Sequence, residues 1–497
     1  MYGAVQTAWN RLLTNRSVIR ERDSSITIAM SSPRENDKSG ILFRRDATTF
    51  WGISRQEPLG PSAAIGSGNS LAFAGLYLFT FLLYARPNEL WPGIFGPFPV
   101  TKIVAVAAAL TYGASMLNAG RPITIWPLEV RMLLLMVILA VLFTPFAISP
   151  QDSVDVLSDT FFKIVLIFVL IINLVTSHKR LHSMLNLMLI CASGLAVGAI
   201  RDFLAGRYTK GRIYGAVGGM FDNPNDFAAA LALLVPLAVA LALSNKGLAR
   251  LAYLGCALLL SFTILITFSR GGFLGLMALG GVLLWRLRPR FVFAWIAAGL
   301  LMVVAVSMMI GLGNRLWTIV DPATDETGSA QERKVVLRRA ALVAVRHSVI
   351  GIGMGNFHHY SSRELVAHNA YLEVWAELGM AGLIAYMTLI VVPFRSLRDL
   401  ELKTAGLPDE MSRHRYYLSV GLQSTLAAYI VCSFFASLEY QWYLYYPVAF
   451  AISLRTIHGS ESCKATNTAV KAGAAGEVLW SQVVKGTLWP DKVSYGR

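Results

Sequence analysis

From about residue 63 onward the chain is a succession of apolar stretches roughly 20 residues long, several of them without a single charge, as in Phe227–Ser244. Inside a bilayer every backbone N–H and C=O must be satisfied within the segment that carries it, so such stretches fold as helices. At about 20 residues per crossing they divide into about twelve spans: 65–84, 100–117, 129–147, 161–176, 182–200, 226–243, 248–268, 271–287, 291–312, 369–394, 416–436 and 438–456. The predicted fold class is all-α, a polytopic integral membrane protein.

Composition excludes the competing classes. Only 15% of residues are charged and 55% are hydrophobic, whereas a soluble globular domain carries about 25% charged residues. The net charge of +15 fits basic cytoplasmic loops better than nucleic-acid binding. Cys191, Cys256 and Cys432 lie in apolar stretches and Cys463 lies near the C-terminus, which leaves neither a disulfide framework nor a zinc-ligand spacing.

Three regions follow. Residues 1–62 read as a polar cytoplasmic tail, 63–456 as the membrane domain with a long outer loop at 313–368, and 457–497 as a second cytoplasmic tail. With both termini inside, every predicted inner loop is basic, from Arg121 and Arg131 through Arg286, Arg288 and Arg290 to Arg413 and Arg415. The outer loop 148–160 is acidic through Asp152, Asp155 and Asp159. Two outer regions break the charge rule: 201–226 carries Arg201, Arg207, Lys210 and Arg212, and 313–368 carries Arg333, Arg338, Arg339 and Arg346 among others. Positive charge held outside calls for an anionic ligand, unless long loops simply translocate whatever their charge.

Three motifs stand at the outer ends of inward-running helices: Arg212-Ile-Tyr-Gly with Asp222-Asn-Pro-Asn225-Asp226, Ser269-Arg-Gly-Gly272, and Ala367-His-Asn-Ala370. Asn223 before Pro224, Ser269 and Asn369 each suit a helix N-cap. Helix N-termini carry partial positive charge and free N–H groups, so three of them at one face favour phosphate, and Arg212 with Arg270 completes a diphosphate clamp. Each motif also has a purely structural reading: an arginine snorkelling to headgroups, glycines permitting close helix packing, a cap and nothing more, an interfacial histidine. Their conjunction favours the site.

Between the motifs, Ser329–His347 alternates Val335, Val336, Ala340, Leu342, Val343 and Val345 with basic residues, an amphipathic helix along the outer interface. Gly351-Ile-Gly-Met-Gly355 reads as a flexible turn. His358 and His359 precede His368, but no carboxylate or cysteine completes a convincing ligand set, so no metal site is predicted.

The order and spacing of Arg212 with Asp222-Asn-Pro-Asn225, Ser269-Arg270-Gly-Gly, Arg333 ahead of Gly351-Ile-Gly, and Ala-His368-Asn369 with Glu377-Leu-Gly resemble the O-antigen ligase superfamily, strongly over residues 200–395. That superfamily takes in O-antigen ligases, polysaccharide polymerases and O-linked oligosaccharyltransferases. Tyr84-Ala-Arg-Pro-Asn-Glu-Leu-Trp91 is similar to the branch of O-glycosylation ligases associated with exosortase systems, whereas Leu337 stands where many members carry tryptophan.

The resemblance implies a bacterial inner-membrane enzyme with a periplasm-facing site. It would transfer a glycan from undecaprenyl diphosphate to a hydroxyl acceptor on lipid A core, protein or polysaccharide, without cofactor or obligatory metal. Arg212 and Arg270 would bind the diphosphate, with Asn225, Arg333 and Asn369 supporting. His368 would be general base, an imidazole titrating near neutral pH. A repeat-unit polymerase using the same donor is the near alternative, and a transporter or lipid-linked glycan exporter the distant one.

Overall fold

The computed structural model describes residues 67–90, 99–207, 223–287, 329–361 and 365–487, and every regular element among them is a helix. The N-terminal tail, the expected span at 291–312, Arg212, Asp222, the loop start at 313–328 and Arg363 lie outside the described residues. The other expected spans fall on helices α1 (Ser67–Ala85), α2 (Val100–Asn118), α3 (Leu128–Phe143), α4 (Phe162–Leu174), α5 (His178–Leu204), α6 (Pro224–Ser244), α7 (Gly247–Ile266), α8 (Arg270–Leu287), α10 (Ala370–Thr404), α11 (Glu410–Phe434) and α12 (Trp442–Thr487). The amphipathic helix of the long loop is α9 (Ser329–Arg346). Among the described residues, α2, α3 continued to Phe146, α5, α6, α7, α10 and α11 are long and apolar enough to cross a bilayer, with α1 and α8 as shorter apolar helices. The protein is an all-α, multi-pass integral membrane protein.

Three boundaries differ from the sequence expectation. The acidic stretch 148–160 is helical: Pro150–Asp155 begins under a Ser149 cap and passes through a π-helical turn, Val156–Phe161, directly into α4. The last helix does not end with the apolar run but continues to Thr487. Helix α10 runs to Thr404 and is broken inside at Gly379, where φ is 66° and ψ is −175°.

The centre of the molecule is α6, buried along nearly its whole length. Lipid tails are as apolar as leucine, so helices gain association from close packing rather than from burial, and small residues at the contacts permit it. A Cβ on Gly275 of α8 would stand 2.4 Å from the Cys432 sulfur of α11, and one on Gly272 would stand 2.5 Å from Ala228 Cβ of α6. Polar pins fix the directions. Arg413 at the start of α11 donates to the Ser244 carbonyl at the end of α6 at 2.6 Å, and Thr425 donates to Leu233 O at 2.9 Å.

At that end Arg286 of α8 lies 3.6 Å from buried Glu401 of α10, and Gln423 of α11 donates to Glu401 at 2.8 Å. A buried charge pair this enclosed persists because each carboxylate oxygen finds a donor. Helices α6, α8 and α10 therefore run in one direction and α11 runs against them. Their N-termini share an end with the C-terminus of α11.

Elsewhere α12 is held to α1 by Thr80 and Tyr446 hydroxyls 2.9 Å apart, and to α3 by Arg455, which grips buried Glu129 through two hydrogen bonds of 3.1 and 3.3 Å. Helix α9 builds a second, smaller core. Val336, Ala340, Val343 and Ala344 pack on Ile352, Phe357, Ala367 and Ala376, while Val335, Leu342 and Val345 face outward. The expected amphipathic helix thus has one apolar stripe on the protein and a second exposed, as an interfacial helix requires.

Candidate active site

The described parts of the three motifs stand at the shared helix ends. Asn223 Oδ1 accepts the Asn225 N–H at 2.9 Å, with Pro224 in the first turn of α6. Ser269 Oγ accepts the Gly272 N–H at 3.2 Å and donates to Asn225 Oδ1 at 3.0 Å, which joins the start of α8 to the start of α6. Asn369 Oδ1 accepts the Leu372 N–H at 3.0 Å, and its Nδ2 donates to the Phe434 carbonyl at the end of α11, 3.2 Å away. All three expected caps are formed, and two of them also bond a neighbouring helix. The glycines after Arg270 serve packing, since Gly271 faces Phe435 and Gly272 faces Ala228.

Backbone strain marks the same place. Phe268 and His368, each the residue before a bridging cap, hold φ of 53° and 52°. A non-glycine residue there costs about 1–2 kcal/mol and persists only where its surroundings over-determine it. Ser269 and Asn369, bonded on both sides, supply that constraint.

His368 is partly buried beside Arg333 and Glu332 of α9. Burial first, and then the Arg333 guanidinium, push its imidazole from 6.5 down to about 4, with Glu332 opposing. That lies below the near-neutral range of an ordinary imidazole. The imidazole is neutral at pH 7 and keeps a free lone pair. Arg333 and His368 are therefore brought together, while Arg270 opens α8 and Asn225 lies at the adjoining helix start. Arg212, the expected second arm of the clamp, lies outside the described residues.

Sequence reasoning missed what holds the His368 loop in place. Two carboxylates one turn apart on α10, Glu373 and Glu377, are buried. Glu373 accepts the Ala367 N–H at 3.3 Å, directly before His368, and also the Ser437 hydroxyl. Glu377 accepts the Phe357 N–H at 3.0 Å. The signal was present as an acidic i, i+4 pair at the head of an apolar run, where an uncompensated charge is costly and so has a task.

The Gly351–Gly355 segment is not a flexible turn. Ile352 and Met354 are fully buried, Ile352 N–H donates to Ala376 O at 3.0 Å, and Gly353 N–H donates to Glu377 O at 3.1 Å. The segment docks against the break at Gly379, where the Met380 N–H, unable to continue the helix ladder, donates to Ser348 O at 2.7 Å. A Cβ on Gly351 would lie 2.0 Å from the Glu377 carbonyl oxygen, so only glycine fits.

Beyond this segment the chain supplies the carboxylate that the sequence reading lacked beside the histidine pair. Asp152 Oδ2 lies 2.7 Å from His359 Nε2 and 3.5 Å from His358 Nε2. A carboxylate from a distant part of the chain thus stands beside the histidine pair.

Imidazole, guanidinium and helix N-termini stand at one end of this helical membrane domain, an arrangement suited to holding an anionic group. Residues 255–387 match the family model described as O-Antigen ligase. Over that stretch the chain is similar to the O-antigen ligases, a ligase- and polymerase-type family of membrane glycosyltransferases. Arg270, Arg333, His368 and Asn369 fall inside the matched stretch, and Asn225 falls before it. A search of curated proteins finds no match.

Proposed function

We propose that the protein transfers a glycan from undecaprenyl diphosphate to an acceptor hydroxyl at the periplasmic face of the bacterial inner membrane. The convergence of three capped helix N-termini with His368 and Arg333 carries this reading. A lipid-linked diphosphate has its tail in the bilayer and its charge at the interface, where Arg270, the helix ends and Arg212 would receive it. Asn225 and Asn369 set the positions of these groups through their bonds to Ser269 and Phe434.

In the transfer, His368 takes the proton of the acceptor hydroxyl as its oxygen bonds to the anomeric carbon. The carbon–phosphate oxygen bond breaks with its electron pair staying on the diphosphate. A single displacement inverts that carbon. Charge grows on the leaving phosphate, and guanidinium groups already in place stabilise it without reorganisation. A base held near 4 is weak in the free enzyme. The arriving diphosphate offsets the field of Arg333, the smaller of the two causes that depress the imidazole, and so raises it part of the way toward the pH at which it works.

The test is transfer by purified protein given lipid-linked glycan and acceptor. His368→Ala and Arg270→Ala, each shown to be folded, should lose about 100- to 10,000-fold in rate. Full activity in either variant removes that residue's role, and products that keep the donor's anomeric configuration exclude single displacement.

A further inference from the structure

Asp152, His358 and His359 bring one carboxylate oxygen and two imidazole nitrogens within 4.8 Å of one another. They come from two segments far apart in sequence that are fastened together independently of these three side chains. Asn356, fully buried, accepts the Ser149 N–H at 2.8 Å and donates to Ser149 O at 3.1 Å and Ser153 Oγ at 2.8 Å. Ser153 Oγ donates in turn to Met354 O at 2.9 Å. The Asp152 N–H is capped by Ser149 Oγ at 3.3 Å. The three side chains thus project from a scaffold already built.

The tautomer of His358 is set by its own hydrogen bond. Its Nδ1 lies 3.0 Å from the Gly355 carbonyl, which can only accept, so Nδ1 carries the proton. In the neutral ring Nε2 is then a lone pair, and it points at a carboxylate oxygen 3.5 Å away. Two acceptors facing each other repel unless a proton or a metal cation lies between them, and only the metal draws in His359 as well. A ligating histidine whose other nitrogen donates to a backbone carbonyl is the arrangement that fixes metal-binding imidazoles.

The separations suit a small ion as well. Two ligands at about 2.0–2.1 Å from a tetrahedral centre stand about 3.3 Å apart. The 3.5 Å pair needs no adjustment and the 2.7 Å pair opens slightly. His359 releases its Nε2 proton to solvent and takes one at Nδ1, so no net proton need be lost.

From this geometry we infer a binding site for a divalent transition ion of the zinc type, with Asp152, His358 and His359 as ligands and the remaining position open to solvent. Two imidazoles and one carboxylate select this class over magnesium or calcium, which require oxygen. The ion staples the Pro150–Asp155 helix to Phe357–Tyr360. The inference is independent of the transfer reading and survives its failure.

The test uses full-length protein in detergent, free of polyhistidine tags and stripped with chelator, and titrates Zn2+ by calorimetry and Co2+ by visible absorption. Wild type should bind one ion per chain, show the Co2+ d–d bands of a low-coordinate N/O site, and unfold at higher temperature with Zn2+ present. Asp152→Asn, which preserves shape, and His359→Ala should each weaken binding at least about 10-fold and abolish the thermal shift, whereas neighbouring Asp155→Asn changes nothing. Absence of saturable uptake, or equal uptake by wild type and Asp152→Asn, overturns the assignment.

Discussion

Ser269 Oγ donates to Asn225 Oδ1 across 3.0 Å while accepting the Gly272 N–H, so one hydroxyl both caps α8 and ties it to the start of α6. Removing it should act twice. Ser269→Ala is expected to cost about 1–2 kcal/mol of stability through the lost cap and to lower transfer further by freeing the adjacent Arg270. Ser269→Thr, which keeps the hydroxyl, should restore most of both. Thermal unfolding alongside transfer rates checks this, and an activity loss no larger than the stability loss explains would remove the positioning role.

His368 gives a pH prediction with a definite sign. Its imidazole is pushed from 6.5 to about 4 in the folded chain, so between those values the unfolded chain holds a proton that the folded chain does not. Stability should therefore fall as pH drops from about 6.5 through 4, by up to roughly 3 kcal/mol. His368→Gln should flatten that part of the profile in chemical denaturation at several pH values.

The same group should shape the rate profile. The acidic limb of kcat/KM, which reports the free enzyme, should lie well below 6, whereas the limb of kcat should lie higher because bound diphosphate offsets Arg333. Arg333→Gln should move the kcat/KM limb upward. Limbs that coincide, or that ignore Arg333, would separate His368 from the proton transfer.

Gly379 holds φ of 66° and ψ of −175°, a region essentially restricted to glycine, and a Cβ there would stand 3.0 Å from the Ser348 and Val349 carbonyl oxygens. Gly379→Ala is expected to cost at least about 1–3 kcal/mol and to displace the Gly351–Gly355 segment together with Glu377. Limited proteolysis of the 348–361 region should detect the displacement, and a variant as stable as wild type would contradict the account of the break.

How much of this was readable in the chain divides along one physical line. Apolar runs of bilayer length and the cap residues Asn223, Ser269 and Asn369 announce themselves locally, because a helix end is satisfied by its own neighbours. The convergence of those ends was inferable from the span-by-span parity of the crossings, since each crossing reverses direction. The depressed imidazole was not inferable, for Arg333 stands 35 residues before His368 and reaches it only through the small core under α9. Asp152 joins His358 and His359 from more than 200 residues away, and a glycine inside an apolar run, such as Gly379, reads the same whether it packs a helix or breaks one.

Everything functional depends on the helix starts of α6 and α10 opening on one, extracytoplasmic face. The direct measurement is labelling of Asn223→Cys and of Val366→Cys, both exposed positions, by a membrane-impermeant maleimide in spheroplasts, with Cys256 and Cys463 replaced by serine. The account predicts that both are labelled from outside without permeabilising the membrane. Labelling of the two positions from opposite sides, or of both only after permeabilisation, would contradict it.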